Sequence, residues 1–270
     1  MTAYEALNAG TNALGSAWFG LIAGLPAAWQ IAATAVPLTV FALLVFRFAS
    51  DQAGITHAKD QIKAHLLELW LYKDDPGVLL RAQGRVVLHS LAYLGYSVVP
   101  LALMLVPVAL LLVQVEARHA WRPLAPGEGA IVTIAIESQG AVSLRGSGVV
   151  VETPALRLDD RGEVLWRVSG AGSGPQQVEF DVAGNTVARR VLVGDGMPPL
   201  APVVYRADDW RTLGSAVEQA LPAGSPVASV TVDYPRARGE FIGLSSASWL
   251  LFGFTLLLGF ALRGVFRVTF

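Results

Sequence analysis

The stretch FALLVFRFASDQAGITHAKDQIKAHLLELWLYKDDPG, residues 41–77, indicates how the chain is organised. It starts as an apolar helix that contains Arg47 and continues as a charged amphipathic helix. Between residues 55 and 72 the apolar positions recur at steps of three and four, which places them on one helical face. Pro76 disfavours helical geometry in the residue before it and Gly77 permits a turn, so the helix is predicted to end there.

A second amphipathic helix follows this turn. Its apolar face carries Leu80, Val87, Leu91 and Leu94, and the helix then runs into a long apolar stretch. Two amphipathic arms joined by a tight turn predict an antiparallel helical hairpin over residues 49–85, packed like a coiled coil of about three heptads.

The composition indicates a membrane protein. Hydrophobic residues make up 53% of the chain, charged residues only 15%, and the mean hydropathy is +0.50. Soluble domains are roughly one quarter charged. The net charge of −1 gives no indication of nucleic-acid binding, and the absence of cysteine excludes disulfides and thiolate sites.

Three stretches are predicted to span a bilayer, which needs about 20 mostly apolar residues. They are residues 29–48, 86–116 and 244–264. Trp29 and Trp249 lie at ends of spans, where an aromatic ring tolerates the headgroup layer.

Residues 1–28 precede the first span and are apolar, glycine-rich and interrupted by Pro26. They are predicted to form an interfacial or re-entrant helix. A longer first span with a proline kink is the alternative.

The positive charges of the connectors predict the orientation. No basic residue precedes the first span. The first connector carries Lys59, Lys63, Lys73, Arg81 and Arg85, with Arg47 just before it, and Arg263 and Arg267 lie at and after the end of the third span. The positive-inside rule then places the N-terminus outside, and the hairpin and the tail 265–270 in the cytoplasm. Arginines also flank the long connector, but long connectors translocate largely regardless of charge. The chain is therefore expected to be a multi-pass protein of the inner cell membrane.

The long connector, residues 117–243, has the pattern of a β-domain. Short β-type runs alternate with turn residues, and Val178, Phe180 and Val182 are predicted to face one way. Residues 207–221 are predicted to form one helix. The predicted fold class is an α+β membrane protein: three transmembrane helices with a cytoplasmic antiparallel helical hairpin, plus an extracytoplasmic β-sandwich-like domain.

The predicted chain has one span, a cytoplasmic hairpin, a second span and, later, a third span. This order resembles the YidC/Oxa superfamily of membrane-protein insertases in its minimal three-helix form. The resemblance is carried by FALLVFRFAS, by the hairpin through KDDPGVLLRAQGR, and by YSVVPLALMLVPVALLL at residues 96–112. It implies a groove among three helices, open to the cytoplasm and to lipid. Polar groups would hold water there, and a client helix would leave sideways into lipid. The hairpin would receive the client or the ribosome, and the β-domain is an addition to the family core.

The resemblance implies that Arg47 is a groove arginine, and an ionisable residue in a span is a site hypothesis by default. Arg47 also lies near the end of its span, where it can act as a simple anchor that reaches water. Hydroxyls that can wet the groove are those of Thr34, Thr39, Ser97 and Thr255. Such hydroxyls often bond to their own backbone instead.

Three prolines, Pro37, Pro100 and Pro107, are predicted to bend the spans. Pro100 and Pro107 lie seven residues apart and so mark one helical face. They either open a cavity or form a packing kink.

The sequence gives no support for an enzyme. His57 and His65 share a helical face, but no carboxylate completes a metal site, and no nucleophile elbow or phosphate loop is present. We therefore expect no catalytic residue, metal or cofactor.

The predicted function is that of a membrane-protein insertase or chaperone. The alternative is a structural or interaction protein whose β-domain binds a partner within a larger envelope complex. The expected partners are the lipid bilayer and either nascent membrane-protein clients or other envelope proteins, and not nucleic acid.

Overall fold

The computed structural model describes residues 2–72, 74–137, 141–182, 184–237 and 240–268. Lys73, which contributes to the predicted charge asymmetry, lies outside these ranges, as do the last two residues of the predicted tail. Five α-helices are present in the described ranges: α1 (Ala3–Leu21), α2 (Ala27–Ala49), α3 (Gln52–Leu71), α4 (Pro76–His119) and α5 (Ser246–Phe266). Three of them, α2, α4 and α5, are long and apolar enough to cross a membrane.

The helices begin where the sequence supplies caps. Thr2 and Glu5 form a capping box at the start of α1, and the Asp51 side chain accepts a hydrogen bond from the Gly54 N–H at 2.9 Å to cap α3. Pro76 occupies the first position of α4, where its missing N–H is not needed. Pro76 thus begins α4 directly after the predicted break.

The β-domain consists of antiparallel strands: β1 (Gly129–Ile136), β2 (Val142–Ser147), β3 (Val149–Val151), β4 (Leu156–Leu158), β5 (Glu163–Gly170), β6 (Gly174–Val182), β7 (Asn185–Val193), β8 (Val203–Tyr205), β9 (Val227–Val232), β10 (Glu240–Phe241) and β11 (Leu244–Ser245). One sheet has the order β3-β5-β1-β9-β8, with β4 also pairing with β5, and a second has the order β2-β6-β7. Strands β10 and β11 pair with each other.

Side chains of both sheets form one hydrophobic core. Val178, Phe180 and Val182 of β6 are all fully buried in it, so the predicted inward face of this strand is confirmed. The ring centroid of Trp166 on β5 lies 5.7 Å from that of Phe180. The two sheets therefore form a β-sandwich-like domain, as the alternating pattern predicted.

The predicted helix over residues 207–221 is wrong. Only a 3₁₀ turn, Trp210–Gly214, is present, capped by Asp209. The hydroxyl of Ser215 donates to the Val203 carbonyl at 3.1 Å and accepts from the Tyr205 N–H at 3.3 Å. These bonds to β8 stabilise a non-helical path, because they hold Ser215 against the edge of the sheet.

The chain divides into two compact units. The first comprises Met1–Ile31 and Leu110–Leu250, and so groups α1 with the β-domain. The second comprises Ala32–Ala109 and Leu251–Phe270.

Within the second unit, α3 and the start of α4 are in contact. The imidazole rings of His65 and His89 stack with centroids 5.5 Å apart. Gly54, near the start of α3, lies so close to Tyr96 that a Cβ there would come within 2.8 Å of the ring. Positions early in α3 therefore meet later positions of α4.

Candidate functional site

The predicted groove residues all belong to the second unit. Two of them meet: the Thr39 hydroxyl lies 3.5 Å from the carbonyl oxygen of Thr255. This contact brings the middle of α2 against the middle of α5. Thr34 and Thr39 are each only 1% exposed.

The hydroxyls of Thr39, Ser97 and Thr255 bond to their own helices. Thr39 donates to the Ala35 carbonyl at 2.7 Å, Ser97 to the Tyr93 carbonyl at 3.2 Å, and Thr255 to the Leu251 carbonyl at 2.7 Å. Each bond spans four residues, the common way for a hydroxyl to be satisfied inside an apolar helix.

Arg47 lies in the last turn of α2 and is exposed. Its guanidinium carbon is 5.5 Å from the centre of the Phe48 ring. Arg263, in the last turn of α5, has a similar environment, 5.8 Å from the Phe260 ring. The two cations are thus a matched pair for experiment.

The three prolines lie inside uninterrupted helices, Pro37 in α2 and the other two in α4. Pro100 is buried, whereas Pro107 and Pro37 are exposed. Pro100 and Pro107, which share one face of α4, therefore have different surroundings. Pro76 and Gly77 are exposed at the start of α4.

His65 of α3 contacts two other side chains. His65 pairs with Glu68, with 2.9 Å between Nδ1 and Oε2, and stacks on His89. In the part of the chain that the structure describes, no three histidine or carboxylate side chains come together as metal ligands.

A polar network that the sequence reasoning missed connects α1 to the end of α4. Gln114 donates to the Asn12 side-chain oxygen at 2.7 Å, and Asn12 also accepts from the Val217 N–H at 3.1 Å. Arg118 donates to the side-chain oxygen of Gln114 at 2.6 Å and to its carbonyl at 3.0 Å. Ser16 lies 3.4 Å from the same guanidinium.

A pocket of about 420 Å³ opens beside this network. Its walls are Arg118 and His119 from α4, Phe19 from α1, and Gly20, Ala23, Ala27, Gln30, Met197 and Pro199. Arg118 lies with its guanidinium carbon 4.6 Å from the Phe19 ring centre. The pocket thus combines a buried cation with a mainly apolar wall.

A second buried cation, Arg189 of β7, lies in the β-domain. It donates to the Ala201 carbonyl and pairs with the Glu218 carboxylate. Burial lowers the pKa of Arg189 to about 10. A cavity of about 530 Å³ adjoins it, lined also by Gln177, Arg190, Gln219 and Leu221.

The network at α1 did have a sequence signal. Asn8, Asn12 and Ser16 recur every four residues in an apolar segment, and Gln114 and Arg118 are also four apart. Such spacing predicts one polar stripe on each helix. The pairing of the two stripes depends on tertiary structure.

Comparison with protein-family models, curated proteins and solved structures found no match to this chain. The fold itself defines the class: an α+β membrane protein with three apolar helices and a β-sandwich-like domain.

Proposed function

We propose that this chain is a membrane-protein insertase of the YidC/Oxa type, with an added β-domain. The proposal rests on one observation, the order and continuity of its helices. An apolar helix, α2, is followed by α3, a short connector and α4, which continues without a break from Pro76 to His119. The third apolar helix, α5, follows the β-domain.

In this proposal α2, α4 and α5 enclose a groove that opens to the cytoplasm and to lipid. Thr34, Thr39 and Ser97 place hydroxyls inside α2 and the apolar part of α4, where the proposal sets the groove. The groove hydroxyls and Arg47 hold water at membrane depth and thin the hydrocarbon barrier. A polar segment of a client then crosses in short steps, and burial of the client's apolar surface drives its release into lipid.

We place α3 and the start of α4 in the cytoplasm as a hairpin that receives the client. All three lysines of the chain fall within residues 49–85, which supports this orientation. The N-terminus and the β-domain are then outside the inner membrane. The proposed partners are nascent membrane proteins and the bilayer, and the work of insertion requires no catalytic residue.

Insertion of a model single-span client into proteoliposomes tests the proposal. Arg47→Ala is expected to slow insertion, because it removes the groove cation. Arg263→Ala is the matched control, since this cation also ends an apolar helix beside an aromatic ring. If both variants insert the client as fast as the wild type does, Arg47 acts only as a membrane anchor. Wild-type vesicles that insert no more client than empty ones would refute the insertase proposal.

An interaction function is the second candidate, and an apolar surface on the β-domain favours it. Val150 and Val151 of β3 and Leu156 of β4 are 52%, 38% and 60% exposed. Strand β3 ends the order of its sheet, so a partner can contact these side chains from that edge. The partner would be another protein of the envelope.

Cross-linking in native membranes distinguishes this candidate. Val150→Glu is expected to abolish a cross-linked complex that the wild type forms, because it places a charge in the apolar surface. Arg145→Glu on β2, also exposed, is the control. A complex that survives Val150→Glu would exclude this surface as the contact.

A further inference from the structure

Arg118 carries a buried charge whose hydrogen-bond partners are neutral. Only 7% of the residue is exposed, and its bonds go to Gln114 and Ser16. Among the ion pairs formed by residues that the structure describes, none includes Arg118. A buried guanidinium without a carboxylate is costly, and an anion that binds beside it would offset that cost.

The pocket beside Arg118 has the form that an amphiphile requires. Arg118 and Ser16 supply donors on one side, while Phe19, Ala23, Ala27 and Pro199 supply apolar surface. Next to these wall residues in the chain, Leu21, Leu25 and Trp29 are 82%, 43% and 66% exposed. Apolar side chains so exposed beside a pocket that contains a cation suit contact with acyl chains.

We propose that this pocket binds the phosphate of an anionic phospholipid, in the leaflet on the same side as the β-domain. Arg118 would bind the phosphate oxygens with two parallel N–H groups, the geometry in which guanidinium recognises phosphate. The acyl chains would lie along Leu21, Leu25 and Trp29. This inference depends on the membrane class of the protein and not on its proposed insertase function.

Two variants test the site from different directions. Arg118→Gln removes the charge, and Gly20→Leu fills the pocket while keeping Arg118. Gly20 tolerates a side chain, since a Cβ there meets no atom within 4 Å. Arg145→Gln, which changes an exposed arginine of β2, is the control for net charge.

The measurement is binding of fluorescent phosphatidylglycerol to the full chain in neutral detergent, with phosphatidylcholine as the comparison lipid. We expect saturable binding of phosphatidylglycerol that Arg118→Gln weakens by about tenfold, the effect of one charge-assisted hydrogen bond. Gly20→Leu should also weaken it, because the leucine side chain occupies the pocket, and the control should leave it unchanged. Equal binding of the two lipids, or wild-type affinity in Gly20→Leu, would overturn the proposal. Competition by millimolar inorganic phosphate, with no dependence on acyl chains, would identify a phosphate site and overturn the assignment to lipid.

Discussion

Glu116, near the end of α4, accepts hydrogen bonds from both the backbone N–H and the hydroxyl of Ser245, at 3.1 and 2.7 Å. Ser245 immediately precedes α5, so the carboxylate lies at the N-terminus of that helix, where negative charge is favourable. The Ser248 hydroxyl and an Arg236 N–H, 3.1 Å away, donate to the same carboxylate. One side chain thus connects the end of one apolar helix to the start of another.

Glu116→Gln is expected to lower the stability of the folded protein by about 2 kcal/mol, because the amide accepts these bonds without a charge. The thermal unfolding midpoint in detergent measures the effect. Glu179→Gln, an exposed change on β6, is the control and should leave the midpoint unchanged. A Glu116→Gln midpoint equal to that of the control would show that the cluster is not stabilising.

Acid should weaken the β-domain through Glu128. A two-point ion pair with Arg122, at 2.7 and 2.9 Å, and the Ala125 N–H lower the pKa of this carboxyl from 4.5 to about 2. Because the folded pKa is the lower one, the stabilisation is complete above pH 4.5 and is lost as the pH falls from 4.5 to 2. Both side chains are partly exposed, so screening limits the contribution to about 1 kcal/mol.

Tryptophan fluorescence during chemical unfolding, repeated across that pH range, measures this loss. Glu128→Gln is expected to reduce stability at neutral pH and to flatten its dependence on acid. Arg122→Gln should do the same, and the double variant should cost little more than either single change. Additive losses in the double variant would contradict the ion-pair explanation.

Asn12 is predicted to hold α1 in place. Its side-chain oxygen accepts from Gln114 and from the Val217 N–H, so Asn12→Ala leaves both donors unsatisfied at a cost of about 1–3 kcal/mol. We expect faster hydrogen exchange of α1 backbone amides while β6 stays protected. Thr11→Ala is the matched control, because its hydroxyl donates to the Leu7 carbonyl within α1. Equal exchange in the two variants would show that Asn12 does not hold the helix.

The sequence predicted the elements that depend on local rules. Apolar length gave the three candidate spans, Pro76 and Gly77 gave the break between α3 and α4, and alternation gave the buried face of β6. The helix predicted over residues 207–221 failed because Ser215 bonds to β8, a contact that no local pattern reveals. The groove function of Arg47 stays a prediction.

Hydrophobic length and periodicity establish an α+β membrane protein, because they are properties of neighbouring residues along the chain. Which polar residues meet depends on the folded arrangement. It paired Asn12 with Gln114 across 102 positions and Glu116 with Ser245 across 129. A polar side chain in an apolar segment must find a partner, but the pattern around it does not specify which distant residue supplies the hydrogen bond.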